Sequence, residues 1–222
     1  MPTLNTHFTP IEMATWPRRE YFYYFTKLAP MGFTVTVTLD VTATLAWSRA
    51  HHVKFNAVYL YLVSRILTDH PEFRVVRDPE TEQLVTYDVV HPSYTVIHPD
   101  HTISNLWTAY ESDFTAFYQN YLADLDQYGA VPGPMPKAPQ SPNLFTIGSL
   151  PWLDFTSYTP LPFTPLTTYT PVFQAGKFTT HDEQITLPLS LTVHHAVSDG
   201  YQASALLNEL QAAFRQPEVN LA

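Results

Sequence analysis

ITLPLSLTVHHAVSDG, residues 185–200, decides the fold. Ile185, Leu187, Leu189, Leu191 and Val193 share one side of an extended chain, and Thr186, Pro188, Ser190 and Thr192 share the other. This predicts a strand with one buried, apolar face and one polar face. Pro188 offers no donor to a ladder, so an edge strand or a bulge is expected there. Alternation sends His194 and His195 to opposite sides, so one can pack while the other faces a cleft. Asp199-Gly200 is a turn signal. Ala203 to Phe214 then repeats apolar residues at helical spacing, so the strand should feed a helix through a turn that carries two histidines.

Outward from this stretch, the signals for strands and helices are mixed. Phe33 to Leu39 (FTVTVTL) alternates like residues 185–193. Asn56 to Leu67 reads as an amphipathic helix. Pro17 to Lys27 reads as a short helix, with Thr15 as its cap and Pro17 tolerated in the first turn. Phe114 to Leu125 reads as another, with Ser112 as its cap. Short strands are expected near Phe73–Val76, Leu84–Tyr87, Tyr94–His98 and Ile103–Trp107. Gly129 to Pro142 is a Pro-rich surface loop. Thr159 to Pro171 is a Thr- and Pro-rich loop able to line a pocket. Regular βαβ alternation is missing, which predicts one α/β domain over residues 1–222, a two-layer sandwich with helices covering a mixed sheet.

The chain has 222 residues, 45% of them hydrophobic and 14% charged, which is the balance of a globular domain. Its net charge of −9 and the lack of any basic cluster argue against nucleic acid. An anionic ligand would need specific local cations. The absence of cysteine excludes disulfides, thiolate metal sites and a Cys nucleophile. No basic start is followed by an apolar run, and no stretch approaches the roughly 18 apolar residues of a membrane span. A cytoplasmic enzyme is therefore expected. His91, His98, His101 and the His51-His52 pair show no zinc-ligand spacing, so no metal is expected.

His194-His195-Ala196-Val197-Ser198-Asp199-Gly200 has the form HHxxxDG, which resembles the active-site motif of the CoA-dependent acyltransferase superfamily. Further fragments resemble the chloramphenicol acetyltransferase family, in its order and near its spacing. They are WPRREYFYYF (16–25), Pro30-x-Gly32-Phe33, Lys54-Phe55 with Val58 and Tyr61-Leu62, Tyr94-Thr95-Val96, Leu150-Pro151-Trp152, Leu187-Pro188-Leu189-Ser190 and Leu207-Asn208-x-Leu210. The resemblance implies a trimer whose active sites lie between subunits. It implies transfer of acetyl from acetyl-CoA to a hydroxyl of chloramphenicol or a related small apolar alcohol, and antibiotic resistance as the setting. His195 matches the general base, and Asp199 and Arg18 match a buried ion pair that supports its loop. Lys54, Lys177 and Trp152 match positions along the CoA site. Phe25, Met31, Phe33, Ile103, Thr146 and Phe163 match the acceptor pocket.

The sequence also departs from the family. Ile147-Gly148-Ser149-Leu150-Pro151-Trp152 stands where the family has I-S-x-L-P-W, so a hydroxyl that would stabilise the oxyanion is missing at Gly148. Gln174 stands where the family has Thr. Its amide, or a bound water, could supply the missing donor. Phe25, Met31, Thr146 and Ile103 replace a Tyr, a Cys, an Asn and a Phe, which points to a shifted acceptor. The alternative reading is an impaired homologue that binds CoA or a small apolar ligand without efficient turnover.

Overall fold

The computed structural model describes residues 6–161 and 169–221. Its elements run β1 (Phe8–Pro10), α1 (Arg19–Tyr23) continuing as a π-helical turn (Tyr24–Leu28), β2 (Gly32–Asp40), α2 (Thr42–Ala50) and α3 (Phe55–Leu67). A 3-10 turn (Pro71–Arg74) leads into β3 (Val75–Arg77), β4 (Leu84–Tyr87), β5 (His91–Ile97), β6 (Ile103–Trp107) and α4 (Phe114–Tyr128). Then come β7 (Leu144–Ser149), β8 (Val172–Ala175), β9 (Thr179–His181), β10 (Gln184–His194), α5 (Gly200–Arg215) and α6 (Pro217–Asn220).

The main sheet runs β2-β10-β8-β7-β5-β6, with β9 also paired to β10. It is mixed: β7 lies parallel to both β5 and β8, and the other pairs are antiparallel. Alternation sorts its residues as the sequence predicts. Leu39, Leu187, Leu189, Leu191, Val193, Phe173, Phe145 and Ile147 point into a core shared with α3 and α5. Thr36, Ser190, Gln174 and Gly148 form one cross-strand row on the opposite, polar face, and Thr34, Thr192, Val172, Thr146 and Ser93 form the next. Thr34 and Thr192 join their hydroxyls at 2.8 Å.

Pro188 is not on an edge strand. β10 is flanked by β2 on one side and by β8 and β9 on the other. Pro188 falls between the rows that pair with β8 (Leu189–Thr192) and β9 (Gln184–Thr186), so its missing N–H coincides with a break in the ladder. Its carbonyl accepts from Gly176 N–H (2.8 Å) at that break.

Three further expectations need correction. The first helix begins at Arg19, and Thr15 does not cap it; the Thr15 hydroxyl donates instead to the Glu12 carbonyl (3.4 Å). Phe73 lies in the 3-10 turn, and the strand starts only at Val75. The cap of α4 is Asp113, whose carboxylate accepts from Ala116 N–H at 2.7 Å; Ser112 contributes a backbone carbonyl to the Tyr61 hydroxyl. α2 escaped the sequence reading because its buried side carries Thr44 and Ser48 beside Leu45. These hydroxyls are satisfied inside the core by the carbonyls of Phe214 (2.5 Å) and Thr44 (2.8 Å), so they need no solvent.

A small antiparallel sheet, β1-β4-β3, stands apart from the main one. Val75 and Leu84 from it join Phe22, Tyr169, Ala196 and Val197 in a second apolar cluster. It packs directly against the turn after β10.

Asp113→Ala should lower stability by about 1 kcal/mol in urea denaturation, the usual cost of a lost N-cap, while Ser112→Ala should be near neutral. His70 ties the turn after α3 to α5. Burial alone would push its imidazole down, but its hydrogen bonds to the carboxylates of Glu209 (3.0 Å) and Glu72 (3.3 Å) outweigh this and hold it above its ordinary value. The stabilisation is therefore full below the unfolded histidine value of about 6.5 and fades as pH rises through the raised folded one. Denaturation midpoints at pH 6 and pH 8.5 should differ in this sense for the parent chain. The component due to this contact should vanish in His70→Gln.

Candidate active site

β10 ends at His194, paired with Gly32 at the start of β2. A Cβ on Gly32 would lie 2.7 Å from the Val193 carbonyl oxygen, so only glycine lets the two strands close here. The backbone N–H of His195 extends the ladder by donating to the Met31 carbonyl (3.1 Å). A tight turn comes next, in which Val197 N–H donates to the His194 carbonyl (3.2 Å). Asp199 then caps α5: its carboxylate accepts from Tyr201 N–H (3.2 Å), and Gln202 completes a capping box by accepting from Asp199 N–H (3.1 Å).

The His195 imidazole is held within this turn. Its Nδ1 lies 3.1 Å from the Ser198 carbonyl oxygen, which can only accept, so Nδ1 donates. In the neutral ring Nε2 then carries the lone pair. Phe25, from the π-helical turn, stacks on the ring at 3.9 Å and 8°. Phe33 meets it edge-on at 5.1 Å.

His194 faces the other way. Its Nδ1 accepts from Ala196 N–H (3.1 Å), and its ring meets Tyr169 at 4.9 Å. Burial, then the neighbouring His195, pushes its imidazole below the ordinary value, so it stays neutral. The two histidine rings thus have separate sets of partners, as the alternation predicts.

Arg18 binds the turn as a clamp. It donates to the carbonyls of His195 (3.3 Å) and Ala196 (3.4 Å) and to the Asp199 carboxylate (3.2 Å). The pair is not fully buried, contrary to the sequence expectation. The Arg18 side chain is 18% exposed and that of Asp199 41%. Asp199 occupies the solvent side because it must also cap α5.

The remaining candidate residues divide between two other regions. Lys54 precedes α3 and Lys177 comes after β8, and both are exposed. The rings of their neighbours Phe55 and Phe178 meet at 5.0 Å. Lys177 N–H donates to the Leu153 carbonyl (2.8 Å), beside Trp152, which is 63% exposed. Among the described residues neither lysine is in an ion pair. No group of three or more His, Cys, Asp or Glu able to hold a metal occurs among the described residues, and none of their helices is long and apolar enough to cross a membrane.

Gly148, Gln174, Thr146 and Ile103 lie elsewhere on the sheet. Gln174 pairs with Ser190, five residues before His195, roughly 16 Å along the strand at about 3.3 Å per residue. Ile103 begins β6, four strand spacings from β10, roughly 19 Å before any offset along the strands. Met31 and Phe33 do reach His195; Ile103, Thr146, Gly148 and Gln174 of the same chain do not. Phe163 lies outside the described residues.

Gly148 and Gln174 are cross-strand neighbours, and the Gln174 amide fills the space a side chain on Gly148 would take. The nearer amide atom is 2.8 Å from the position of that Cβ. The amide oxygen is satisfied in the orientation in which it accepts from Ser149 N–H (2.9 Å) and Leu150 N–H (3.2 Å). This orientation turns the NH2 group toward the vacant Gly148 side. Ser149 pairs with Ala175 in the next row, so it belongs to the opposite face.

The carbonyls of Ser198 and Met31 escaped the sequence reading, since main-chain acceptors leave no mark in residue identity. The stack of Phe25 on His195 escaped it because a π-turn, not an α-helical one, sets where Phe25 points.

Asp199→Ala removes both a cap and an ion pair and should cost about 1–2 kcal/mol, less than a fully buried pair would. Asp199→Asn keeps the cap and should lose less than half as much. Chemical denaturation of both variants checks the order.

The profile of the family described as chloramphenicol acetyltransferase matches residues 6–211. The chain is 36% identical to a chloramphenicol acetyltransferase of Klebsiella sp over 208 residues, covering 93% of each. It is 32% identical to one from Clostridium butyricum, covering 92% of this chain and 94% of the relative. Among solved structures, a chloramphenicol acetyltransferase superposes with a TM-score of 0.80 at 24% identity, covering 93% of this chain and 99% of the other. The truncated catalytic core of a 2-oxoacid dehydrogenase complex from Thermoplasma acidophilum has the same fold, at 17% identity and a TM-score of 0.67, covering 94% and 99%.

Proposed function

Because the chain belongs to the chloramphenicol acetyltransferase family, we propose that it acetylates a hydroxyl of chloramphenicol or a related small apolar alcohol from acetyl-CoA, with His195 as general base. The observation that carries this reading is the hydrogen bond from His195 Nδ1 to the Ser198 carbonyl. It fixes the tautomer in which Nε2 can take a proton. As the acceptor oxygen attacks the thioester carbon, its O–H bond breaks and the proton passes to Nε2. When the tetrahedral intermediate collapses, the C–S bond breaks and the proton leaves with the sulfur as the CoA thiol. Direct transfer needs no acyl-enzyme, in keeping with a chain that has no cysteine.

Arg18 and Asp199 support the turn that holds the base. Lys54 and Lys177 supply the local cations that a chain of net charge −9 needs to hold the CoA phosphates, with Trp152 beside them. Met31 and Phe33 line the acceptor pocket near His195, and Ile103 and Thr146 line it from the polar sheet face.

His195 and the Gly148–Gln174 pair lie too far apart within one chain to act on one thioester. A homotrimer, with the His195 of one copy facing the sheet of the next, brings them together. The whole of residues 1–222 then serves as one acyltransferase domain, working in the cytoplasm. Gln174 favours the active reading over the impaired one: with its oxygen on Ser149 and Leu150 N–H, its NH2 group faces the space beside Gly148 and can donate to the oxyanion.

Thiol release from acetyl-CoA with chloramphenicol, and with a panel of other small alcohols, tests the reaction. Turnover should be abolished in His195→Ala. In Gln174→Leu, kcat should fall by about 10²-fold, the usual loss for one oxyanion donor. Full activity in His195→Ala would remove the base assignment, and full activity in Gln174→Leu would remove the donor.

A further inference from the structure

The pocket-lining role expected of Phe25 does not account for where its ring lies. Phe25 is set by a π-helical turn, closed by Ala29 N–H donating to the Tyr24 carbonyl (2.8 Å). Such wide turns are uncommon and re-aim a side chain relative to a regular helix. Here the turn lays the Phe25 ring flat over the imidazole, centroid to centroid 3.9 Å at 8°. Phe33 adds an edge contact on the same imidazole. The ring plane of His195 is therefore fixed by a hydrogen bond at Nδ1 and an aromatic face. Phe25 is partly buried and adds no polar group that could bond an acceptor.

We propose that Phe25 is a positioning residue that favours the imidazolium form of His195, and so acts on the chemical step rather than on acceptor binding. The inference rests on the general-base reading of His195. A general base acts from its neutral form, and against a neutral imidazole the stack is an ordinary apolar contact. When the acceptor O–H bond breaks, the proton joins Nε2 and the ring becomes a cation. A cation over an aromatic face within about 6 Å of its centroid is attracted by the ring quadrupole. That attraction exists only once charge has formed. It is therefore stronger in the transition state than in the ground state, which is the condition for raising kcat. The contact also holds Nε2 in one direction, because a ring bonded at Nδ1 could otherwise pivot about that bond. When the proton leaves with the CoA thiol, the ring returns to the neutral stack and the cycle closes.

The test is steady-state kinetics of the whole protein carrying Phe25→Leu, Phe25→Met and Phe25→Trp, with His195→Ala as reference. Leu and Met keep apolar bulk but remove the aromatic face. They should lower kcat about five-fold, equivalent to roughly 1 kcal/mol at 1.36 kcal/mol per factor of ten, with both KM values within about two-fold of the parent. Trp restores a face with a stronger quadrupole and should recover most of kcat. A raised acceptor KM with unchanged kcat would make Phe25 a wall of the pocket and overturn the proposal. A lowered kcat in Leu and Met that Trp fails to recover would also overturn it, leaving shape rather than charge as the cause. Activity retained in His195→Ala would instead remove the base itself, so the two readings fail by different outcomes.

Discussion

The pairing of β2 with β10 is the constraint on which the rest depends. It runs from Thr186 opposite Asp40 to His194 opposite Gly32. Period-two alternation then has only one way to bury Leu187, Leu189, Leu191 and Val193 together, and a slip of one residue would turn all four to the polar face. Fixing that register also fixes where β10 stops. It stops beside a glycine, because any side chain on Gly32 would strike the Val193 carbonyl. The core and the position of His195 are thus consequences of a single alignment.

The turn from β10 into α5 is held by several weak restraints of different kinds. Arg18 gathers two carbonyls and a carboxylate, Asp199 caps a helix, and Ala196 and Val197 are fully buried in a cluster with the small sheet. None of these is a deeply buried ion pair, which would have carried a large desolvation cost. The Arg18 guanidinium is mostly covered because it serves backbone acceptors. Asp199 can stay partly in water because its main partners are the N–H groups at a helix start. The same turn treats the two histidines differently: His194 is kept neutral within the packing, and His195 is bonded at Nδ1 to the Ser198 carbonyl.

The two faces of the main sheet differ in what covers them. The apolar face is closed by helices. The polar face carries Thr36, Ser190, Gln174 and Gly148 in one row, and there a small residue is matched by a larger one. Glycine at 148 makes room for a glutamine at 174, and the glutamine brings an amide to the space the glycine leaves. Gly148 and Gln174 stand 26 positions apart in sequence, and their fit shows only once the strands are aligned.

Much of this was legible in the sequence, for physical reasons that act locally. Alternation of apolar residues and threonines determined β2 and β10, helical spacing determined α3, α4 and α5, and the order of short motifs determined the family and pointed to His195. The errors were also local in origin. Thr15 and Ser112 resemble caps, but a cap is chosen by which carboxylate or hydroxyl reaches a free N–H, and Asp113 does. α2 hides its core side behind Thr44 and Ser48, whose hydroxyls find carbonyls only in the folded chain. Tertiary structure alone decided that Pro188 could sit inside a sheet, because the break between β8 and β9 falls at its side. It alone decided that Arg18 and Asp199 share a surface, that Phe25 lies on His195, and that Gln174 fills the place beside Gly148. Each of these is a contact between residues distant in sequence or set by an unusual turn, and the identity of a residue does not reveal which distant group its side chain will meet.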